Sequence, residues 1–433
     1  MKILVVTANY PSAARPLAAI FNERTVIALR DLCDEVKVLM PRPYVPPLVR
    51  SWKSRWGAYG RIPHYELRHG VQVYRPAYLQ VPRMPGSFCI DGGAFLWCRH
   101  VAKQMNERTK FDAVLSFDLL GSGGIAWRVG RDLGIPASGW ATGGDVRVRA
   151  SSSQGKAVIR AVNCLDLIFY QSRELLSVTA DLLGTTETQM LSDRRHVILS
   201  RGVLPPDRLP KHETRKRIRR RLGITDDQVL VLSIARVHRS KGIFELIDAV
   251  SLAACQDPRI VCVVVGSDPA FDETASVQKK VQKLDYPRVR LLPACSSNQV
   301  WDYLCAADVF AFTSHQEGMP NSLLEAMAMG VPAVAFAIPP VMEIDAGTGA
   351  ILLVPPFDTR RFSKGLLGLA ASPADRVKLG QTGRSQVLDR FMVRKNMAAA
   401  LARFTGVVQK PLPAATSPRA IGASNAPSPL REN

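Results

Sequence analysis

Short β-branched runs alternate with amphipathic segments along almost the whole chain, and this alternation most restricts the fold. Lys2–Thr7 and Val229–Ala235 are each a brief apolar run followed by a turn and an amphipathic stretch. After the first, a helix is expected over Ala18–Leu32, with strands at Glu35–Leu39, Ala113–Ser116, Pro136–Ala141, Leu167–Tyr170 and His196–Leu199. After the second, strands are expected at Ile260–Val265, Val289–Leu292, Val309–Phe312, Ala333–Phe336 and Ala350–Val354. Helices fit the intervals Phe244–Cys255, Ala275–Lys283, Gln299–Ala306, Ser322–Met329 and Thr359–Ala371. Strands separated by helices of about 10–15 residues imply parallel sheets with helices on both faces.

The chain has 433 residues, and at about 100–200 residues per domain two domains are the simpler division. Pro205, Pro206 and Pro210 cluster where the boundary is expected, giving domains over 1–205 and 206–410. The last helix, about Arg384–Thr405, is expected to pack on one of them, with a return to the N-terminal domain as one option, and the Pro-, Ala- and Ser-rich 411–433 to be a disordered tail. The longest apolar runs fall far short of the ~20 residues that span a bilayer. Met1-Lys2 leads straight into a strand that Asn9-Tyr10-Pro11 ends, unlike a signal peptide, so a cytoplasmic chain is expected. Eight scattered cysteines include no Cys-x-x-Cys pair and read as small apolar side chains rather than metal ligands.

The formal charge of +20 implies an anionic partner: nucleic acid, an acidic membrane surface or a phosphate-bearing substrate. Lys211–Arg221 holds seven Lys/Arg and one Glu and is expected to be a helix with a solvated face. Residues 41–75 hold seven Lys/Arg, one acidic residue, Trp52, Trp56 and four Tyr among prolines. That mixture suits either a lipid headgroup interface or a plain surface loop. A helix-turn-helix, zinc-finger or RNP pattern is missing, which argues against nucleic acid.

The chemistry concentrates in Glu317-Gly318-Met319-Pro320-Asn321-Ser322-Leu323-Leu324-Glu325, between a strand and a helix. Ligands of open parallel sheets bind at the carboxyl ends of strands, so this loop faces the ligand crevice by position. Gly318 and Pro320 shape a tight loop, after which the amides of Asn321, Ser322 and Leu323 form a helix start suited to oxyanions and sugar hydroxyls. Glu325, one turn further in, is a carboxylate able to accept two hydrogen bonds from a ribose diol, or merely a favourable charge in the first turn. A second element, Arg236-Val237-His238-Arg239-Ser240-Lys241-Gly242, puts two cations in a strand-to-helix loop, where they suit a departing diphosphate. His238 and Arg239 are expected to face solvent.

Together these stretches resemble the retaining glycosyltransferases of family 4, which have the GT-B fold. The resemblance rests on Glu317-x7-Glu325 continued through Ala326-Met327-Ala328-Met329-Gly330-Val331-Pro332, on Arg236-x4-Lys241-Gly242, and on Ala306-Ala307-Asp308-Val309. It covers the second half strongly and the first half in outline. It implies two Rossmann-like domains facing a central cleft. Arg236 and Lys241 would grip the donor diphosphate, Glu317 would contact the donor sugar, and Glu325 would hold the ribose. Gly318, Met319, Pro320, Asn321, Ser322, Leu323 and Gly266 would complete the donor site. Asp145 and Thr142, in Ala141-Thr142-Gly143-Gly144-Asp145, a loop that would point into the cleft, and the Asn9–Pro11 loop would lie on the acceptor side. Many relatives carry a histidine where Thr142 stands, a glycine-rich turn where Pro11–Ile20 lies, and two glycines where Pro339-Pro340 precedes Glu343.

The implied partners are a nucleotide-diphosphate sugar and a glycan or polyprenyl-linked acceptor of the kind used for bacterial surface polysaccharides, with an anionic membrane as a further surface. No cofactor is implied, and no metal. The chain has no Asp-x-Asp motif, and the two cations would stand in for a divalent ion. A sugar-nucleotide epimerase on the same double fold is the alternative reading.

Overall fold

The structure is a computed structural model and describes residues 1–46, 55–79, 93–206, 212–267, 273–284 and 288–409. The tail 411–433, Trp52 and Lys211 lie outside the described residues.

The first half builds one sheet from β1 (Lys2–Val6), β2 (Glu35–Leu39), β4 (Tyr65–Arg68), β5 (Val71–Tyr74), β7 (Ala113–Ser116), β8 (Ala137–Ala141), β9 (Leu167–Tyr170) and β10 (His196–Ile198). Its order is β10-β9-β8-β7-β1-β2-β5-β4, parallel throughout except for the terminal β5–β4 hairpin. A two-strand ribbon, β3 (Arg42–Pro43) and β6 (Ala77–Tyr78), stands beside it. The second half builds a wholly parallel sheet from β11 (Val229–Ile234), β12 (Ile260–Ser267), β13 (Val289–Pro293), β14 (Val309–Phe312), β15 (Ala333–Phe336) and β16 (Leu352–Val354), in the order β13-β12-β11-β14-β15-β16.

Helices cover both faces. The first half carries α1 (Ile20–Leu32), α2 (Arg55–Gly60), α3 (Phe95–Thr109), α4 (Ser122–Leu133), α5 (Ser153–Cys164), α6 (Arg173–Leu183) and α7 (Glu187–Ser192). Then follow α8 (His212–Arg221), α9 (Ile243–Gln256), α10 (Thr274–Gln282), α11 (Ser297–Ala306), α12 (Asn321–Ala328), α13 (Pro339–Asp345), α14 (Thr359–Ala371), α15 (Pro373–Arg390) and α16 (Val393–Gln409). The molecule is therefore α/β, with two Rossmann-like domains, as the alternation implied.

Strand alternation decides the cores. In β1, Leu4 and Val6 enter the cluster under α4 and α5, while Ile3 and Val5 enter the cluster on the other face. That second cluster also contains Val393, Met397, Ala400 and Phe404, so α16 returns from the C-terminal half to close the N-terminal sheet. Phe404 lies 6.2 Å from Phe169, which stacks on Trp140 at 4.4 Å. One continuous helix over Arg384–Thr405 is not what forms. The helix breaks at Phe391-Met392, because the Val203 amide donates to the Phe391 carbonyl (2.8 Å) and the Val393 amide donates to the Val203 carbonyl (3.0 Å). The chain passes between the halves at Gly202–Leu204 and at Phe391–Val393, and the two passages are hydrogen-bonded to each other.

Two basic regions differ from expectation. The helix α8 is not a plain solvated face. Arg219 is buried and, with Arg215, clamps Asp308 at 2.8 and 2.6 Å, while Arg217 pairs with Asp302 and Arg221 with the Tyr303 hydroxyl. Burial opposes ionisation of Asp308, but Arg215 and Arg219 hold its carboxyl below the usual range. Asp308 in turn accepts the Leu230 amide, tying α8 to the start of β11. In 41–75 the polypeptide is not a simple loop, since Tyr65–Tyr74 forms the edge hairpin. Arg75 and Arg42 are almost wholly buried, and Arg68 and Arg75 pair with Glu23 and Glu66, so part of this charge faces inward.

Candidate active site

In both sheets strand order reverses once, between β1 and β7 and between β11 and β14. Loops diverge at such points and leave a crevice beyond the strand ends. The loops after β11 and β14 carry the donor-side candidates, and the loops after β1 and β8 carry the acceptor-side candidates.

The two donor-side loops are fastened together. Thr313 Oγ1 donates to the Lys241 carbonyl at 3.2 Å, and the His315 amide donates to the Ser240 carbonyl at 3.0 Å. This docking brings Lys241 Nζ to 2.7 Å from Glu317 Oε1, which also receives the Ser314 hydroxyl at 2.8 Å. Arg236, at the end of β11, is exposed and has no ion pair or side-chain hydrogen bond among the described residues. Gly266 sits at φ +129° beside the Ala235 carbonyl, so it serves the close approach of β12 to the Arg236 loop. His238 and Arg239 are exposed; His238 accepts the Ser240 amide and Arg239 pairs with Glu273.

Helix α12 starts at Asn321 with no side-chain cap. The first bond of its ladder runs from the Leu324 amide to the Pro320 carbonyl, leaving the first-turn amides of Asn321, Ser322 and Leu323 without an intrahelical partner. Met319 and Pro320 are buried under this turn. Glu325, also buried, is ion-paired with Arg24 of α1 in the opposite domain. The carboxylates Glu317 and Glu325 are thus each paired with a cation, while Arg236 has no ion pair among the described residues.

The domains meet at this site. Gly318 lies so near Thr142 and Gly143 that a Cβ on Gly318 would stand 2.0 Å from the Thr142 carbonyl oxygen. Arg147 Nη2 donates to the Glu317 carbonyl at 2.9 Å and pairs with Glu174 at 3.0 Å. The Arg173 amide donates to Glu343 at 2.8 Å, and burial raises the Glu343 carboxyl above its usual value.

On the acceptor side the loop after β8 meets Gly318 through its backbone. The Asp145 carboxylate does not point into the cleft. It is buried and accepts the backbone amides of Leu119, Thr142 and Gly143, so it shapes the loop from behind. A short turn rich in unpaired amides recruits the nearest acceptor, and Asp145 is it. The parts facing Gly318 are the backbone of half-buried Thr142 and buried Gly143. The Asn9 side chain is exposed, and its carbonyl accepts Asn22 Nδ2 at 2.7 Å. Asn22 in turn accepts from Arg201 at 2.7 Å, whose guanidinium lies between Phe21 and Phe117 at 5.3 and 5.1 Å. Burial lowers Arg201 to about 10 despite Asp145 and Asp118 nearby. Burial also lifts Asp118 to about 6, against bonds from Ser122 and Ala8 and with Asp145 adding to the rise.

Arg24, Arg147, Asp118 and Arg201 carry no local signature in the sequence. Arg24 is one of 57 Lys/Arg and is separated from Glu325 by 301 positions. Among the described residues no group of three or more His, Cys, Asp or Glu is arranged to hold a metal ion, and no helix is long and apolar enough to cross a membrane.

The family model "Glycosyl transferases group 1" matches residues 214–386, which span both donor-side loops. The Bacillus subtilis (strain 168) protein TuaC, named as a teichuronic acid biosynthesis glycosyltransferase, is 32% identical over 366 residues, covering 82% of this chain and 86% of that one. Among solved structures, sucrose-phosphate synthase from Thermosynechococcus elongatus superposes with a TM-score of 0.72 at 18% identity, over 94% of this chain and 100% of that one. Anabaena HepE, solved in complex with UDP and glucose, superposes with a TM-score of 0.69 at 16% identity, over 93% of this chain and 99% of that one.

Proposed function

The chain belongs to the GT-B glycosyltransferases, and from that premise we propose that it transfers a sugar from a nucleoside-diphosphate sugar to an acceptor hydroxyl with retention of anomeric configuration. One observation carries the reading. The Lys241–Glu317 pair and the uncapped start of α12 lie at the β11/β14 reversal, on the loops that follow those strands, with Gly318 against the Thr142-Gly143 backbone of the other domain and exposed Arg236 in the same loop as Lys241.

In this reading Arg236 and Lys241 bind the two phosphates, Arg as a fork and Lys as a point charge. The amides of Asn321–Leu323 bind phosphate and sugar oxygens. Glu317 orients the donor sugar and keeps Lys241 in place; Glu325 accepts the ribose hydroxyls. Bond cleavage between the anomeric carbon and the diphosphate oxygen leaves negative charge on the phosphate, where both cations stabilise it. The acceptor hydroxyl attacks the same face of the oxocarbenium-like sugar, and its proton passes to the departing phosphate oxygen. With two cations on the leaving group, the transfer runs without a divalent ion; activity lost in EDTA and restored by Mg²⁺ would refute this.

The relative's naming for teichuronic acid biosynthesis supports a polysaccharide-precursor or lipid-linked acceptor. A peripheral contact of region 41–75 with the inner face of the cytoplasmic membrane fits such an acceptor. Liposome co-sedimentation indifferent to anionic lipid and to salt would count against that contact.

The function itself is tested by a thermal-shift panel of UDP-, GDP- and ADP-sugars, followed by NMR of the product's anomeric proton. One donor is expected to raise Tm, and the product to keep the donor's anomeric configuration. An inverted product would sink retention, and a flat panel the donor class.

A further inference from the structure

We propose that Arg24 is a positioning residue for the donor, holding the two domains together around Glu325 so that the nucleotide meets a closed, preset site. This rests on the ribose role assigned to Glu325. Arg24 belongs to α1 of the N-terminal domain, yet its guanidinium is bound by two residues of the C-terminal domain. It pairs with the Glu325 carboxylate and lies 5.6 Å from the Trp301 ring centroid. Both partners are buried, and among the described residues this is the only side-chain ion pair joining α1 through β10 to β11 through α15.

The neighbouring residues explain why α1 transmits force. Residues two apart on a helix point about 200° away from each other. Asn22 therefore turns back into its own domain, where it holds the Asn9 carbonyl and Arg201, while Arg24 turns out across the cleft. Glu23 is anchored to Arg68 at 2.7 Å. One helical turn thus links the loop after β1 to the donor-side carboxylate.

A carboxylate has about four lone-pair sites, so an Arg24 bond at Oε1 leaves room for ribose hydroxyls. Without Arg24, Glu325 would be a buried charge with no counter-ion, and the closed arrangement would lose its cross-cleft tie. Closing would then have to be driven by the nucleotide itself, which weakens apparent affinity.

Calorimetry with UDP, GDP and ADP on the full chain first identifies the nucleoside diphosphate that binds. That nucleotide and its 2′,3′-dideoxy form are then titrated into wild type, R24A, R24K, E325Q and R24A/E325Q, with small-angle scattering of the nucleotide-free proteins; R24Q replaces R24A if the latter does not fold. R24A is expected to weaken binding about 5–50-fold and to enlarge the radius of gyration, with R24K recovering part of both. Adding R24A to E325Q is expected to cost little more. Unchanged or tighter binding in R24A, an unaltered radius of gyration, or full additivity overturns the proposal. If the dideoxy form binds wild type as tightly as its parent, the ribose role of Glu325 fails separately, and the R24A effects still decide the positioning role.

Discussion

Gly242 sits directly against Thr313, with the space for a Cβ already taken by the Thr313 carbonyl oxygen 1.9 Å away. Its φ of +64° is also unfavourable for other residues. This contact lets the Lys241 loop dock on the Glu317 loop. Gly242→Ala is expected to lower stability by about 2–3 kcal/mol, combining left-handed strain with a backbone clash. Denaturant unfolding measures this, and transfer activity should fall with it. A variant as stable as wild type would mean the loops are not docked in this way.

Lys241 and Glu317 form an ion pair at 2.7 Å. Lys241→Ala should lower kcat/KM by about 10²–10³, the size of a lost charge-stabilising donor. Steady-state kinetics decides the matter; an unchanged rate removes Lys241 from the site.

Glu325→Ala is expected chiefly to raise the donor KM and to spare kcat, because a ribose contact is present in both ground and transition states. Isothermal calorimetry with the bare nucleotide gives the direct reading. Equal affinity in variant and wild type leaves Glu325 without a ribose role.

Gly318 differs from Gly242, since its missing Cβ makes room for the other domain. Gly318→Ala should force Thr142-Gly143 away and widen the cleft while leaving each domain core intact. Activity should drop at least about tenfold, as a misplacement near 1 Å in a reacting geometry costs up to ~10²-fold. Tm should change little. Full activity would show that productive closure does not use this contact.

Two titrating groups oppose each other. Burial, helped by Arg195, lowers buried His196 to about 4, and its Nδ1 lies 2.9 Å from the Tyr170 hydroxyl. Below pH 6.5 the unfolded chain protonates this histidine and the folded one resists, so its contribution is lost as pH falls toward 4. Asp118 acts in the reverse sense: its raised value, about 6, stabilises the fold below the ordinary carboxylate range, and that contribution is lost as pH rises through 6. Each amounts to about 3 kcal/mol, so they nearly cancel between pH 4 and 6. His196→Gln should leave stability falling as pH rises across this window, and Asp118→Asn should leave it rising. Parallel profiles for both variants and wild type would contradict the assignment.

The sequence by itself determined the alternating α/β order, the β11 and β14 strands, the helix that follows Pro320 and the Glu317-to-Glu325 spacing. All of these follow from periodicities and glycine, proline and charge placements within about a dozen neighbouring residues. The same locality explains its errors. Lys211–Arg221 looked solvated until Asp308 and Asp302 lay opposite, and nothing near Asp145 in the chain showed that its carboxylate would take the Leu119 amide as well as those of its own loop. Only the tertiary structure decided that α16 covers the N-terminal sheet, that Arg24 reaches Glu325 and that Gly318 rests on Thr142. Those contacts join positions far apart in the chain, and no local periodicity or spacing encodes which distant surface a side chain will meet once the two sheets close on each other.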